Sequence, residues 1–525
     1  MNLSSFIAHN GSTGRRLFCL AAAAGSLLLV GCVTTPPAGL HVEAPLAAQE
    51  GAFLVRVVPN APSAGPYFKN WAGLLIVSVN PDGSDGATYQ VPASLDASSR
   101  SALFVASMPP GRYRLSKLSS ASYGLAMQKS QWIEVGARFP RFEIQAGQLT
   151  DLGAVVQTME PGSRHSVELG YDAQPDHEIA SDLVRELAPR FVPLLGKPLL
   201  GWSNDTARAE ARSTGGIASY MSVGIVDPHV LPDGRLVAGS YDGMVKTGVP
   251  GRQAQLHDIG QRVSIEAVAV LPDASWVAAG EYGVIRQSND GGASWRSIRG
   301  DLPYGLVCSV HAVSGQLVAT VLRGNHVVVA STTLGSESPT HWTVHATYTL
   351  NSGPFWQWTS RYATHSFVVG DQIVTALPSN FIGIWDPRTG QAFERKLPDT
   401  IERFAAPGGD ALRFMSAAGM FANNTYISND VGATWEKLPT LPFVWGVALS
   451  DKLNGVGWAS GLQIGTGSFL KTADGGRTWI KSREQGVMVP QIILTKMQGV
   501  AYAVDVEGSL WVGTSSAYDW ARTDF

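Results

Sequence analysis

A short pattern recurs three times in the C-terminal half of the chain: SNDGGASW at 288–295, SNDVGATW at 428–435 and TADGGRTW at 472–479. In each copy a hydroxyl residue precedes an Asp by two positions, a Gly stands two positions after the Asp, and a second hydroxyl residue and a Trp close the motif. An Asp at this spacing can accept hydrogen bonds from nearby backbone N–H groups, and Gly permits the positive φ of a tight loop. Trp295, Trp435 and Trp479 then open β-prone runs and can lay their rings on the hairpin. Weaker units (ESPTHW, TGQAFERKLP and SSAYDW) extend the aromatic series to positions 295, 342, 393, 435, 479 and 520, spaced by 41 to 51 residues. A period of this length, filled only by short β-prone runs, is the signature of β-propeller blades. The unit VWGVALS, GVGWAS, GSFLKTA, TWIKS supplies four strands of one such blade. Counting HVLPDGRLVAGSYDGMVKTG as a further unit, residues 223–525 predict a propeller of about seven blades, with 212–222 as a candidate closing strand.

The motif resembles the Asp-box (BNR) repeat. The region 223–525 resembles Asp-box propellers, a group that includes sialidases, sortilin-type receptor domains and photosystem II stability/assembly factor-like proteins. NGVGWASGLQIGTGSFLKTADGGRTW is most similar to the last of these. The resemblance implies that Asp290, Trp295, Asp430, Trp435, Asp474 and Trp479 hold the fold together, away from any ligand face. Equivalent copies around a ring also argue against one special catalytic or metal-binding Asp.

Upstream, 52–160 reads as short strands such as FLVRVVP, GLLIVSVNP, ALFVASM and RYRLSKLSS, broken by Pro81-Asp82-Gly83 and Pro109-Pro110-Gly111. That predicts a small β-sandwich and makes the whole chain all-β in class. The exception is DHEIASDLVRELAPRFVPLL, where Ile179, Leu183, Leu187 and Phe191 recur every four residues. This stripe predicts a helix within a connector over 161–222, kinked or ended by Pro189 and Pro193.

The N-terminus carries Arg15 and Arg16, an apolar run LFCLAAAAGSLLLV too short to span a bilayer, and then Leu29-Val30-Gly31-Cys32. This resembles a bacterial lipobox, which implies a signal peptide over 1–31 and lipidation of Cys32. The Pro- and Ala-rich stretch 32–51 predicts a tether. Val33 stands where some bacteria use Asp to retain lipoproteins in the inner membrane, so the outer membrane is the expected location in the cell envelope. Cys308, within the apolar run LVCSVHAV, then reads as a small buried hydrophobe.

A net charge of −3 and a pI near 6.4 supply no basic face for nucleic acid. No Gly-x-Ser-x-Gly elbow, His-Glu-x-x-His, P-loop or Cys-pair metal site occurs. No catalytic residue, metal or cofactor is therefore expected. Glu281, Tyr282, Arg361 and Tyr362 supply residue types that a sialidase would use, with nothing in the sequence to bring them together. The preferred expectation is a non-catalytic lipoprotein that binds protein or glycan. The alternatives are a sialidase-like glycan-processing enzyme and a purely structural envelope component. The candidate binding face comprises Tyr304, Phe355, Trp356, Trp358, Arg361, Tyr362 and Trp445, because aromatics beside an Arg suit a peptide or sugar platform.

Overall fold

The structure, a computed structural model, describes residues from 46 onward. It leaves out 60–69, 95–98, 100, 124–127, 136–138, 160–166, 172–176, 204–224, 336–340, 351–363, 378–379, 402, 409–410, 418–421, 440, 443, 450–452, 461–466, 486–490, 495–499, 505–509, 515–519 and 524. Two sheets make up the N-terminal unit. In the first, β1 (Gly51–Pro59) lies antiparallel to Ala102–Met108 and parallel to Leu149–Met159, with Val167–Tyr171 at the far edge. In the second, Asp85–Pro92, Asn70–Val79, Gly111–Tyr123 and Gln128–Glu134 follow in spatial order.

The near-continuous apolar run of β1 is explained by burial on both faces. Phe53, Val55 and Val57 join Leu74, Ile76, Phe104 and Leu115 in a core between the two sheets. Ala52 and Leu54 look the other way, into a second core shared with a helix and with the C-terminal half. That helix, α1 (His177–Leu187), buries Ile179, Ala180, Leu183 and Val184. Its hydrogen bonding stops before Pro189, and a 3-10 segment (Pro189–Gly196) continues the chain and buries Phe191 and Leu194. The prolines thus change the helix type, while the apolar stripe carries on past them.

Among the described residues, the rest of the chain forms seven antiparallel sheets in strict chain order. We number them sheet 1 (226–258), sheet 2 (265–297), sheet 3 (306–349), sheet 4 (365–396), sheet 5 (403–442), sheet 6 (444–485) and sheet 7 (491–523). Each is a four-stranded meander, and sheet 5 adds a short fifth strand, Leu441–Pro442. The first strands of consecutive sheets are neighbours, so they form the inner wall. Tyr502 and Leu510 of sheet 7 pack against Leu236 and Ala238 of sheet 1, which joins the last sheet to the first. This is a β-propeller. The segment 212–222 lies outside the described residues.

The meander fixes two ends of the propeller. Connections between first and second strands, and between third and fourth strands, lie at one end. Connections between second and third strands, and from one sheet to the next, lie at the other. The three repeated loops join third to fourth strands and belong to the first end. The N-terminal unit sits on the opposite, inter-sheet end.

Candidate functional site

The repeated loops share one hydrogen-bond pattern. Ser288, Ser428 and Thr472 donate their hydroxyls to the Asp290, Asp430 and Asp474 carboxylates at 2.8, 2.7 and 2.8 Å. Each same hydroxyl accepts the backbone N–H of Gly292, Gly432 or Gly476 at 2.8 Å. The three carboxylates also accept the backbone N–H of Ser294, Thr434 and Thr478 at 2.9 Å, and those residues' hydroxyls at 2.5–2.6 Å. Hydroxyl and then amide donors hold Asp290 and Asp430 down to about 2, and Asp474 is lowered for the same reason. A carboxylate engaged on both oxygens and kept ionised is poorly placed to move a proton or ligate a metal.

The loops also lock neighbouring sheets. At Gly292, Gly432 and Gly476, φ is +95, +82 and +89°. A Cβ there would approach His257, Ile382 and Arg413 of the preceding sheet to 2.5, 2.7 and 2.8 Å. Trp295 and Trp479 are half-buried and donate their indole N–H to Gly292 O and Gly476 O at 3.2 and 3.0 Å. Trp435, also half-buried, stands edge-on to Phe414 at 4.9 Å.

At the other end, the N-terminal unit is seated on residues of the region 262–323. Glu281 and Tyr282 occupy the turn between the second and third strands of sheet 2, with Tyr282 at φ 63°. The Glu281 side chain is 0% exposed and accepts hydrogen bonds from Ser99 Oγ (2.8 Å), Ser101 N (2.7 Å), Ser101 Oγ (2.7 Å) and Ser264 N (2.9 Å). The Tyr282 hydroxyl bonds Ser99 Oγ at 2.9 Å, and burial pushes its phenol well above the usual range. Arg56 of β1 lies over the Tyr282 ring and donates to the Arg262 carbonyl at 2.9 Å. Helix α1 adds Asp182–Arg299 and Glu186–Arg323 ion pairs.

Tyr304 falls into this seam. It is 7% exposed, in the apolar cluster that contains Leu54, Leu183 and Tyr282. Trp445 is the second residue of the inner strand Val444–Leu449 of sheet 6. Phe355, Trp356, Trp358, Arg361 and Tyr362 lie outside the described residues, as does Cys32. Cys308 is buried, its thiol 3.4 Å from the Leu306 carbonyl.

The inner wall holds polar groups that spacing alone does not reveal. Asp227 and His229, on the inner strand of sheet 1, form an ion pair at 3.4 Å with side-chain exposures of 33% and 41%. Burial is the largest influence on both groups and opposes charge. Their mutual attraction outweighs it in both, raising His229, and together with the Val268 N–H donated to the carboxylate it holds Asp227 at about 2. His311 of sheet 3 donates through Nε2 to the Ser366 carbonyl of sheet 4 at 2.8 Å. Burial lowers its pKa. The Val268 N–H bond to Asp227 and the His311 bond to Ser366 tie neighbouring inner strands together. Among the described residues, no group of three or more His, Cys, Asp or Glu has the geometry of a metal site.

No known protein family matches the chain, and no curated protein does. Among solved structures it is similar to YCF48 from Cyanidioschyzon merolae, at 16% identity over 55% of this chain and 94% of that one, with a TM-score of 0.41. YCF48 bound to D1 peptide matches at 17% identity over 56% and 93% of the two chains, with the same TM-score of 0.41. The WD40 β-propeller domain of Doa1 matches at 14% identity over 57% and 92%, with a TM-score of 0.36. The propeller fold stands on the sheet order and inner-wall contacts of this chain itself.

Proposed function

We propose that this protein is a non-catalytic lipoprotein, anchored through lipidated Cys32 in the bacterial cell envelope, with the outer membrane as its site. It works as a scaffold that binds a protein or glycan partner at the inter-sheet end of its propeller. The observation that carries this reading is the engagement of its acidic candidates for chemistry. The repeated Asp carboxylates are saturated by their own loops, and Glu281 with Tyr282 is sealed beneath the N-terminal unit. A sialidase-type use of the Glu281–Tyr282 pair would require substrate to enter a seam filled by Ser99 and Ser101. With Tyr304 buried in that seam, the residues left for the proposed docking surface are Phe355, Trp356, Trp358, Arg361, Tyr362 and Trp445.

Peptide and glycan arrays probed with the purified full-length protein test the surface. A ligand bound by the wild type and lost from Trp356→Ala/Trp358→Ala, with unchanged melting, is the expected result. Equal binding by both proteins would remove the platform. For the anchor, Cys32→Ala should move the protein to the soluble fraction, and retention in membranes would refute lipidation there.

A further inference from the structure

Arg413 lies on the second strand of sheet 5, is 2% exposed, and has no hydrogen-bond partner at Nε, Nη1 or Nη2. The register shows which way it faces. Met415, two residues along the same strand, packs with Leu470 of sheet 6, and Ala459 and Trp479 complete that cluster. Arg413 therefore points into the layer between sheets 5 and 6, where its guanidinium stands 5.6 Å from the Trp479 ring. Thr425 pairs across the strand with Met415, and Ser468 pairs with Ala459, so both hydroxyl residues look into the same layer. Their Oγ1 and Oγ atoms are likewise buried without a partner. Three unsatisfied side chains in one inter-sheet layer are unlike the chain's treatment of other guanidinium groups. Arg56 reaches the Arg262 carbonyl, and Arg395 reaches the carbonyls of Asp430 and Val431.

We propose that a small monovalent anion, a halide or the carboxylate of a small acid, occupies this layer against the Arg413 guanidinium. An isolated buried charge is strongly unfavourable, and Arg does not escape by losing its proton near neutral pH. Desolvation brings Arg413 down to about 10, which leaves it cationic at neutrality. Among the described residues no carboxylate forms an ion pair with it. The surroundings set the chemistry of the guest. The guanidinium fork supplies the donors, while Met415, Leu470 and the Trp479 ring supply apolar neighbours. One cation balances one negative charge, so a divalent anion would remain half-compensated.

The test is thermal melting of the full-length protein at neutral pH and constant ionic strength, with sodium gluconate replaced stepwise by sodium bromide or sodium formate. Gluconate, far bulkier than bromide or formate, serves as the reference. We expect a rise in Tm that follows the logarithm of bromide or formate concentration and is lost in Arg413→Met. The steeper of the two series separates a halide guest from a carboxylate. Identical melting in all three salts, or the same rise in Arg413→Met, would overturn the proposal. Anomalous scattering from bromide-soaked wild-type crystals needs no variant. A peak within hydrogen-bonding reach of the guanidinium supports the site, and a water or nothing there refutes it.

Discussion

Glu281 and Arg413 are both charged side chains buried at seams of the same propeller, and the molecule treats them in opposite ways. Glu281, beneath the N-terminal unit, receives four hydrogen bonds from Ser99, Ser101 and Ser264. Arg413, between sheets 5 and 6, donates none to the described residues. Removing a fully served buried charge strands its donors, whereas removing an unserved one strands nothing. The first seam is a lock between two units, and the second is a vacancy in the chain's own hydrogen bonding.

Glu281→Ala is the largest perturbation this contrast predicts. It takes the acceptor from the buried Ser264 amide and Ser101 hydroxyl, while the Ser101 amide and the Ser99 hydroxyl keep each other and the Ser101 carbonyl, and should cost about 3–5 kcal/mol in denaturant melts. The loss should be accompanied by earlier proteolytic cleavage between the N-terminal unit and the propeller. A loss well under 1 kcal/mol would mean that the seam is held by apolar packing alone.

Two of the indoles of sheet 6 come next. Trp458 is 0% exposed and stands edge-on to Phe469 at 4.8 Å, so Trp458→Ala should cost about 3–5 kcal/mol. Trp479 is only half-buried beside Arg413, and its removal should cost about half as much. Equal losses would show that the seam around Arg413 is packed as tightly as a true core.

The repeated Asp residues are a third kind of charge, served wholly from within their own loops. Their folded pKa lies below the unfolded value of about 3.9, so their stabilisation is present above that pH and is lost as pH falls toward about 2. Acid titration followed by fluorescence should therefore show wild-type stability falling across this window. Asp290→Asn/Asp430→Asn/Asp474→Asn should start less stable and lose less within it. Parallel curves would exclude these carboxylates as the acid-sensitive groups.

What could be read from the sequence follows the range of the interactions. In the repeated loops, hydroxyl, Asp and second hydroxyl lie within six residues of one another, so the hydrogen bonds are local and the spacing reveals them. The apolar stripe of α1 and the meander of sheet 6 are legible for the same reason. Glu281 is not, because Ser99 and Ser101 stand 182 and 180 residues away. Tyr304 has the look of a platform aromatic in sequence, yet docking of the N-terminal unit buries it. Arg413 reads as an ordinary strand residue, since only the register of two different sheets shows that it faces inward.

The smallest effect discriminates most sharply. In gluconate, Arg413→Met should be neutral or gain on the order of 1 kcal/mol, because an unpaired buried charge is replaced by an apolar chain of similar length. In bromide or formate the wild type should recover that difference, since the guest supplies the missing counter-charge. The sign of the variant's effect therefore depends on the salt. A loss of several kcal/mol in gluconate would mean that Arg413 is already paired within the folded chain, and Glu281 and Arg413 would then be two versions of one solution.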